Sequence, residues 1–155
     1  MAIGGESWQE FIVYKKIMVA YDGTPESESA LHECIQLNPP ASTEIHLLAV
    51  IQLSPHGMAG GYAPEIEFAC KRQVMEQELA RGRALMAAAG LNVVPHLQMG
   101  EPVDVIGVLA DVLGIDLIIV GHSRRKTFAM RWWRGSMDAL LIERVKASIL
   151  VAVRP

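Results

Sequence analysis

Apolar positions along the chain gather into five short runs separated by stretches of helical spacing. The first run, Lys15–Tyr21 (KKIMVAY), predicts a strand, since a short unbroken apolar stretch suits a strand covered on both faces. It stops at Asp22-Gly23-Thr24-Pro25, four turn-forming residues in a row. Thr24 suits a helix N-cap, Pro25 the first helical position, and Glu26 and Glu28 the first turn. Ala30, Leu31, Cys34, Ile35 and Leu37 mark the apolar face of that helix, and Asn38-Pro39-Pro40 ends it. Glu44–Gln52 predicts a second strand, followed by a loop over 53–63 containing Pro55, Gly57, Gly60 and Gly61. A second helix is expected from about Pro64 to Ala89, with Phe68, Val74, Met75, Leu79, Leu85 and Met86 facing inward. Gly82 reads as a weak point inside it and Gly90 as its stop. Asn92–Met99 predicts a third strand, and Pro95, lacking an N–H, places it at a sheet edge. Gly100-Glu101-Pro102 leads into a third helix, Val103–Leu113. Asp116–Val120 is the fourth strand, Gly121–Arg134 a basic loop, and Gly135-Ser136-Met137 the start of a fourth helix capped by Ser136. Ser148–Val153 is the fifth strand.

Strand and helix alternating throughout predicts an open parallel sheet with helices on both faces. Such sheets bind ligands outside the carboxyl ends of their strands, where the winding reverses. If strands one and four are neighbours there, Asp22-Gly23 and Gly121-His122-Ser123 face one another across a crevice. A strand, a loop and a capped helix start also suit an anion, because the first helical N–H groups lack internal partners. Gly121 would let a ligand approach the backbone closely. An ordinary strand-to-helix turn fits the same pattern.

Apolar residues make up 51% and charged residues 20%, which excludes a disordered chain. Fourteen basic against seventeen acidic residues give a net charge of −3, with no global pull towards nucleic acid or membrane. Cys34 and Cys70 are expected to be buried in helices, without disulfide or metal spacing. No basic n-region precedes Lys15, and the most apolar window, Val103–Gly121, holds Asp104, Asp111 and Asp116. A soluble cytoplasmic protein without a membrane span is expected, as one domain over 14–155 behind an extension at 1–13. His122 has no catalytic partner in the sequence, and Ser123 and Ser136 lack a triad context. No catalytic residue or metal site is assigned. Arg124, Arg125, Lys126, Arg131 and Arg134 surround Trp132 and Trp133, as a stacking nucleic-acid surface would require. The acidic balance elsewhere favours a solvated loop flank instead. A receiver domain would need a phosphoacceptor after strand three, where Met99-Gly100 offers none.

Four pieces carry a family resemblance: VAYDGTPES after strand one, Gly100-Glu101-Pro102, DLIIVGHS at strand four, and Gly135-Ser136 with the closing ILVAV. From Tyr14 to Arg154 the chain resembles the universal stress protein family. The resemblance implies a Rossmann-like, adenine nucleotide alpha hydrolase-like sheet of order 3-2-1-4-5, and a homodimer formed through strand 148–153. It implies ATP or AMP as ligand, with or without Mg2+, held by a G-x-x-G-x9-G-[ST] pattern. Gly121 matches the first glycine and Gly135-Ser136 the final pair. Asp22 matches the acidic residue that contacts adenine, and Val50 a backbone contact to the base. The implied binding set is Ala20, Asp22, Gly23, Val50, Val120, Gly121, His122, Arg124, Gly135, Ser136 and Met137. Two departures stand out: Arg124 replaces the second glycine, and the spacer 125–134 has ten residues rather than nine. Arginine there removes a close backbone approach but offers a bidentate guanidinium. The implied role is a stress-response sensor or regulatory module, with ATP hydrolysis slow at most. The rival role is a nucleotide-free dimeric interaction protein from the branch lacking these glycines, using loop 124–134 as a partner surface.

Overall fold

Every strand of the computed structural model runs in the same direction, and a helix links each strand to the next. Residues 14–52, 64–123 and 136–154 are described. The elements are β1 (Lys16–Ala20), α1 (Pro25–Leu37), β2 (Glu44–Ile51), α2 (Pro64–Ala88), β3 (Val93–Met99), α3 (Pro102–Leu113), β4 (Leu117–Ser123), α4 (Ser136–Arg144) and β5 (Ser148–Arg154). The sheet order is β3-β2-β1-β4-β5, all parallel, as expected. β1 and β4 are therefore neighbours, with Val19 opposite Ile119.

One boundary differs at a place that matters. β4 continues to Ser123, three residues past its expected end, so Gly121, His122 and Ser123 are strand residues paired with Ala152, Val153 and Arg154. Ladder hydrogen bonds to β5 carry the strand on where the side chains turn small and polar. Ser136 is the first residue of α4 rather than the cap before it. The loops at 53–63 and 124–135, and residues 1–13, lie outside the described residues.

Two cores sandwich the sheet. Ile17, Val19, Ile45, Leu47, Leu117 and Ile119 pack on one face against Ala30, Leu31 and Cys34 of α1 and Leu79 and Met86 of α2. Met18, Leu48, Ile118 and Val120 pack on the other against Val103, Ile106 and Ala110 of α3 and Leu141 of α4. Burial on both faces explains why β1 and β4 read as unbroken apolar runs. At the amino end of the sheet, Asp116 ties β1 to β4. Its carboxylate accepts the Lys15 N–H at 2.8 Å and the Lys16 N–H at 2.9 Å.

The inward face of α2 departs from expectation. Leu79 and Met86 are buried, but Val74 and Leu85 are exposed. The helix meets the sheet along Met75, Leu79, Gly82 and Met86, a spacing of three and four, and Val74 and Leu85 lie off that stripe. Gly82 belongs to the stripe: a Cβ there would stand 2.7 Å from Cε1 of Tyr21. It is the point of close approach, not a weak point. Cys34 is buried as expected, and burial pushes its thiol up to about 12. Cys70 is exposed, contrary to expectation, because it lies off the stripe by which α2 meets the sheet.

Pro95 stands opposite Leu47 on edge strand β3, where its missing N–H leaves no partner unsatisfied. Near this edge lies a buried polar pair. His46 Nδ1 of β2 is 2.8 Å from His96 Nε2 of β3, and one of the two nitrogens donates. His46 Nε2 is 2.8 Å from Glu44 Oε1, at ion-pair distance but without hydrogen-bond geometry, and Lys16 Nζ holds the other Glu44 oxygen at 3.5 Å. Burial first, then the neighbouring His46, lowers the pKa of His96. A depressed histidine favours the fold while neutral. That contribution is complete above the unfolded value of about 6.5 and is lost as pH falls through the lower folded value. The urea midpoint should accordingly be lower at about pH 5 than at about pH 7.5, and the difference should shrink in His96→Gln. An equal difference in wild type and variant would show that the pair does not carry it.

Candidate functional site

A cavity of about 570 Å³ opens at the carboxyl ends of β1 and β2. That size suits a small-molecule ligand. Its floor and walls are mainly apolar: Ala20 and Leu48 with Val50 and Ile51 from the strands, Val74 and Met75 from α2, and Pro102 and Ile106 from α3. Asp22, Thr24, Gln52 and Lys71 supply the polar rim, the buried Glu26 and Ser27 line the wall beside it, Cys70 stands on the α2 side, and Gly121 closes the β4 side.

The turn after β1 is built by its own side chains. Asp22 Oδ1 accepts the Thr24 N–H at 3.0 Å and the Thr24 hydroxyl at 2.6 Å. Thr24 Oγ1 in turn accepts the Ser27 N–H at 3.3 Å, which caps α1. The Ser27 hydroxyl donates to the Thr24 carbonyl at 2.9 Å and accepts the Asp22 N–H at 3.2 Å. This closed set fixes the Asp22 carboxylate at the rim. The side chain is exposed, so it is not the buried carboxylate that its place after β1 suggests.

Gly121 makes room for a helix. A Cβ at this position would overlap the carbonyl group of Glu26 and lie 3.0 Å from the Ser27 nitrogen. The first turn of α1 rests on β4 at that point, and only glycine lets the helix come so close. The rim on the β2 side is tied by Gln52. Its carbonyl accepts from Lys71 Nζ at 3.2 Å, and its Nε2 donates to Glu101 Oε2 at 2.8 Å. Lys71 also pairs with Glu67 Oε1 at 2.6 Å, one turn back along α2.

Of the residues expected to bind, Ala20, Asp22, Val50 and Gly121 meet around this cavity. Gly23 lies in the turn behind it, where a Cβ would meet the Glu78 side chain. Val120 points into the α3–α4 core and can offer only its backbone. His122 is half-buried, and its Nδ1 has no hydrogen-bond partner among the described residues. Ser136 and Met137 open α4. Arg124 and Gly135 lie outside the described residues. Sequence reasoning missed the α2 wall, Cys70, Lys71, Val74 and Met75, because nothing in local spacing tells which side of a long helix faces a crevice formed by strands elsewhere. Among the described residues, no group of three or more His, Cys, Asp or Glu is placed to hold a metal ion. No described helix is long and apolar enough to cross a membrane.

Comparison with known proteins agrees with this architecture. The sequence profile described as the universal stress protein family matches residues 13–154. A putative universal stress protein of Staphylococcus haemolyticus is 27% identical over 143 residues, covering 90% of this chain and 85% of that protein. Among solved structures, a universal stress protein family protein from Arabidopsis thaliana with AMP bound superposes with a TM-score of 0.65 at 17% identity. The match covers 91% of this chain and 92% of that one. A universal stress protein in complex with cAMP gives a TM-score of 0.65 at 20% identity, covering 89% and 96%. At these identities the structural likeness speaks for the fold.

The two cysteines report on the cavity. A maleimide should label Cys70 in the native chain and leave Cys34 untouched until the chain is denatured, since Cys34 is buried with a raised pKa. A molecule filling the cavity should slow the labelling of Cys70. Mass spectrometry of the modified peptides checks this; native labelling at Cys34, or none at Cys70, contradicts the described packing.

Proposed function

The chain belongs to the universal stress protein family, and on that premise we propose that it binds an adenine nucleotide in the cavity at the ends of β1 and β2. In this reading it works as a cytoplasmic, homodimeric sensor or regulatory module of the stress response. The observation that carries the reading is the convergence of Ala20, Asp22, Val50 and Gly121 on one cavity of ligand size. The AMP and cAMP held by two structures of the same fold support it.

The residues fit such a ligand. Apolar walls from Leu48, Val50 and Met75 suit the faces of a purine, and the fixed Asp22 carboxylate suits its amino group. The phosphates would lie towards β4 and the start of α4, where helical N–H groups lack internal partners. The Nδ1 of His122, without a partner among the described residues, would lie at that end. Arg124, Gly135, Ser136 and Met137 would complete it, with Arg124 supplying charge in place of the absent glycine. Mg2+, where present, would be held by the phosphates rather than by a protein cluster. No residue is assigned as a general base, so binding rather than turnover is the activity.

Assembly rests on β5. Among the described residues it pairs with β4 alone, and Val151 and Val153 are about two-fifths exposed. A bare apolar edge calls for a partner, and a second copy about a two-fold axis satisfies both edges at once.

Calorimetry tests the ligand. Wild type should bind AMP or ATP at one per chain, and Asp22→Asn should weaken binding about tenfold while the fold survives, because its remaining oxygen can still accept from Thr24. Absence of binding in wild type would overturn the reading. Sedimentation tests the assembly: wild type should be a dimer at micromolar concentration, and Val151→Pro should shift it to monomer by removing a ladder donor. A monomeric wild type would contradict it.

A further inference from the structure

We propose that Lys71, on α2, is a further ligand-contacting residue that reads the nucleoside end of the bound nucleotide. This rests on the adenine-nucleotide reading above and goes beyond the strand, loop and α4 residues that reading assigns.

Three features of its placement carry the inference. Lys71 is the one cation among the described residues that line the cavity. Its ammonium donates to the Gln52 carbonyl at the end of β2 at 3.2 Å and pairs with the Glu67 carboxylate at 2.6 Å. A donor already positioned by the protein loses little freedom when a ligand arrives. Its charge is also matched by Glu67. It therefore suits a neutral acceptor, such as a ring nitrogen or a ribose hydroxyl, better than a phosphate.

Sheet order gives the direction. β1 separates β2 from β4. Two strand spacings put the Lys71 side roughly 10 Å from the β4 side, where the phosphates are assigned. The two ends of one nucleotide are separated by a comparable span, so a residue anchored on β2 meets the nucleoside. The wall around it, Val50, Ile51, Val74 and Met75, is apolar. A lysine supplies donors only, and adenine presents unpaired ring nitrogens as acceptors once its amino group has gone to Asp22.

The test compares adenosine with AMP, each titrated by calorimetry into the full chain as wild type, Lys71→Met and Lys71→Arg. Lys71→Met should weaken adenosine and AMP by the same factor, about tenfold, as loss of a charge-assisted hydrogen bond does. Lys71→Arg, which keeps donors at the same place, should retain most of the affinity. Equal affinity of wild type and Lys71→Met would overturn the inference alone. A loss confined to AMP would overturn it too, by placing Lys71 at the phosphate. A loss as large in the folded arginine variant would show that size, not donation, matters. A wild type that binds neither molecule would remove the nucleotide reading itself, and this inference with it.

Discussion

The absence of a side chain at position 121 sets the geometry of the whole carboxyl edge. Any Cβ there would collide with the Glu26 carbonyl, so α1 can rest its first turn on β4 only because the residue is glycine. That contact decides where Thr24, Ser27 and Asp22 stand, since all three are locked to the start of α1 by their own hydrogen bonds. The opposite end of the same strand pair is held by Asp116, whose carboxylate takes the Lys15 and Lys16 N–H groups. β1 and β4 are thus fixed at both ends. The crevice where the sheet reverses direction inherits that rigidity.

The site that results separates its duties. Apolar residues from the strands, α2 and α3 enclose the volume, Asp22, Gln52 and Lys71 stand at its rim, and Glu26 and Ser27 lie buried beside α1. The exposed Asp22 carboxylate is oriented by its two hydrogen bonds from Thr24. Gln52 links the α2 and α3 walls through its backbone and side chain, so the β2 side of the rim is also a fixed frame.

Much of the fold was legible because burial on both sheet faces leaves a plain signal. Ile17, Val19, Ile118 and Ile119 form unbroken apolar runs for that reason alone. Pro95 marked an edge strand, and the turn at Asp22 to Pro25 marked a helix start, because each carries a local backbone constraint. What was not legible depended on distant partners. Gly121-His122-Ser123 looks like loop, yet β5 pairs with it as strand. Val74 and Leu85 have helical spacing but lie beside the contact stripe, and Gly82 looks like a flaw until the Tyr21 ring is beside it. Asp22 could be placed at the crevice from its strand end, and Ala20 and Val50 followed from the family resemblance. Lys71 and Cys70 could not, because their side of α2 becomes a wall only once β2 and α3 are in position.

A crystal structure of the chain grown with AMP at saturating concentration tests the central claim most directly. The account predicts density for the base between the ends of β1 and β2, with the amino group at Asp22 and the phosphate directed towards β4 and the start of α4. A cavity without nucleotide under those conditions, or AMP bound elsewhere on the chain, would contradict it.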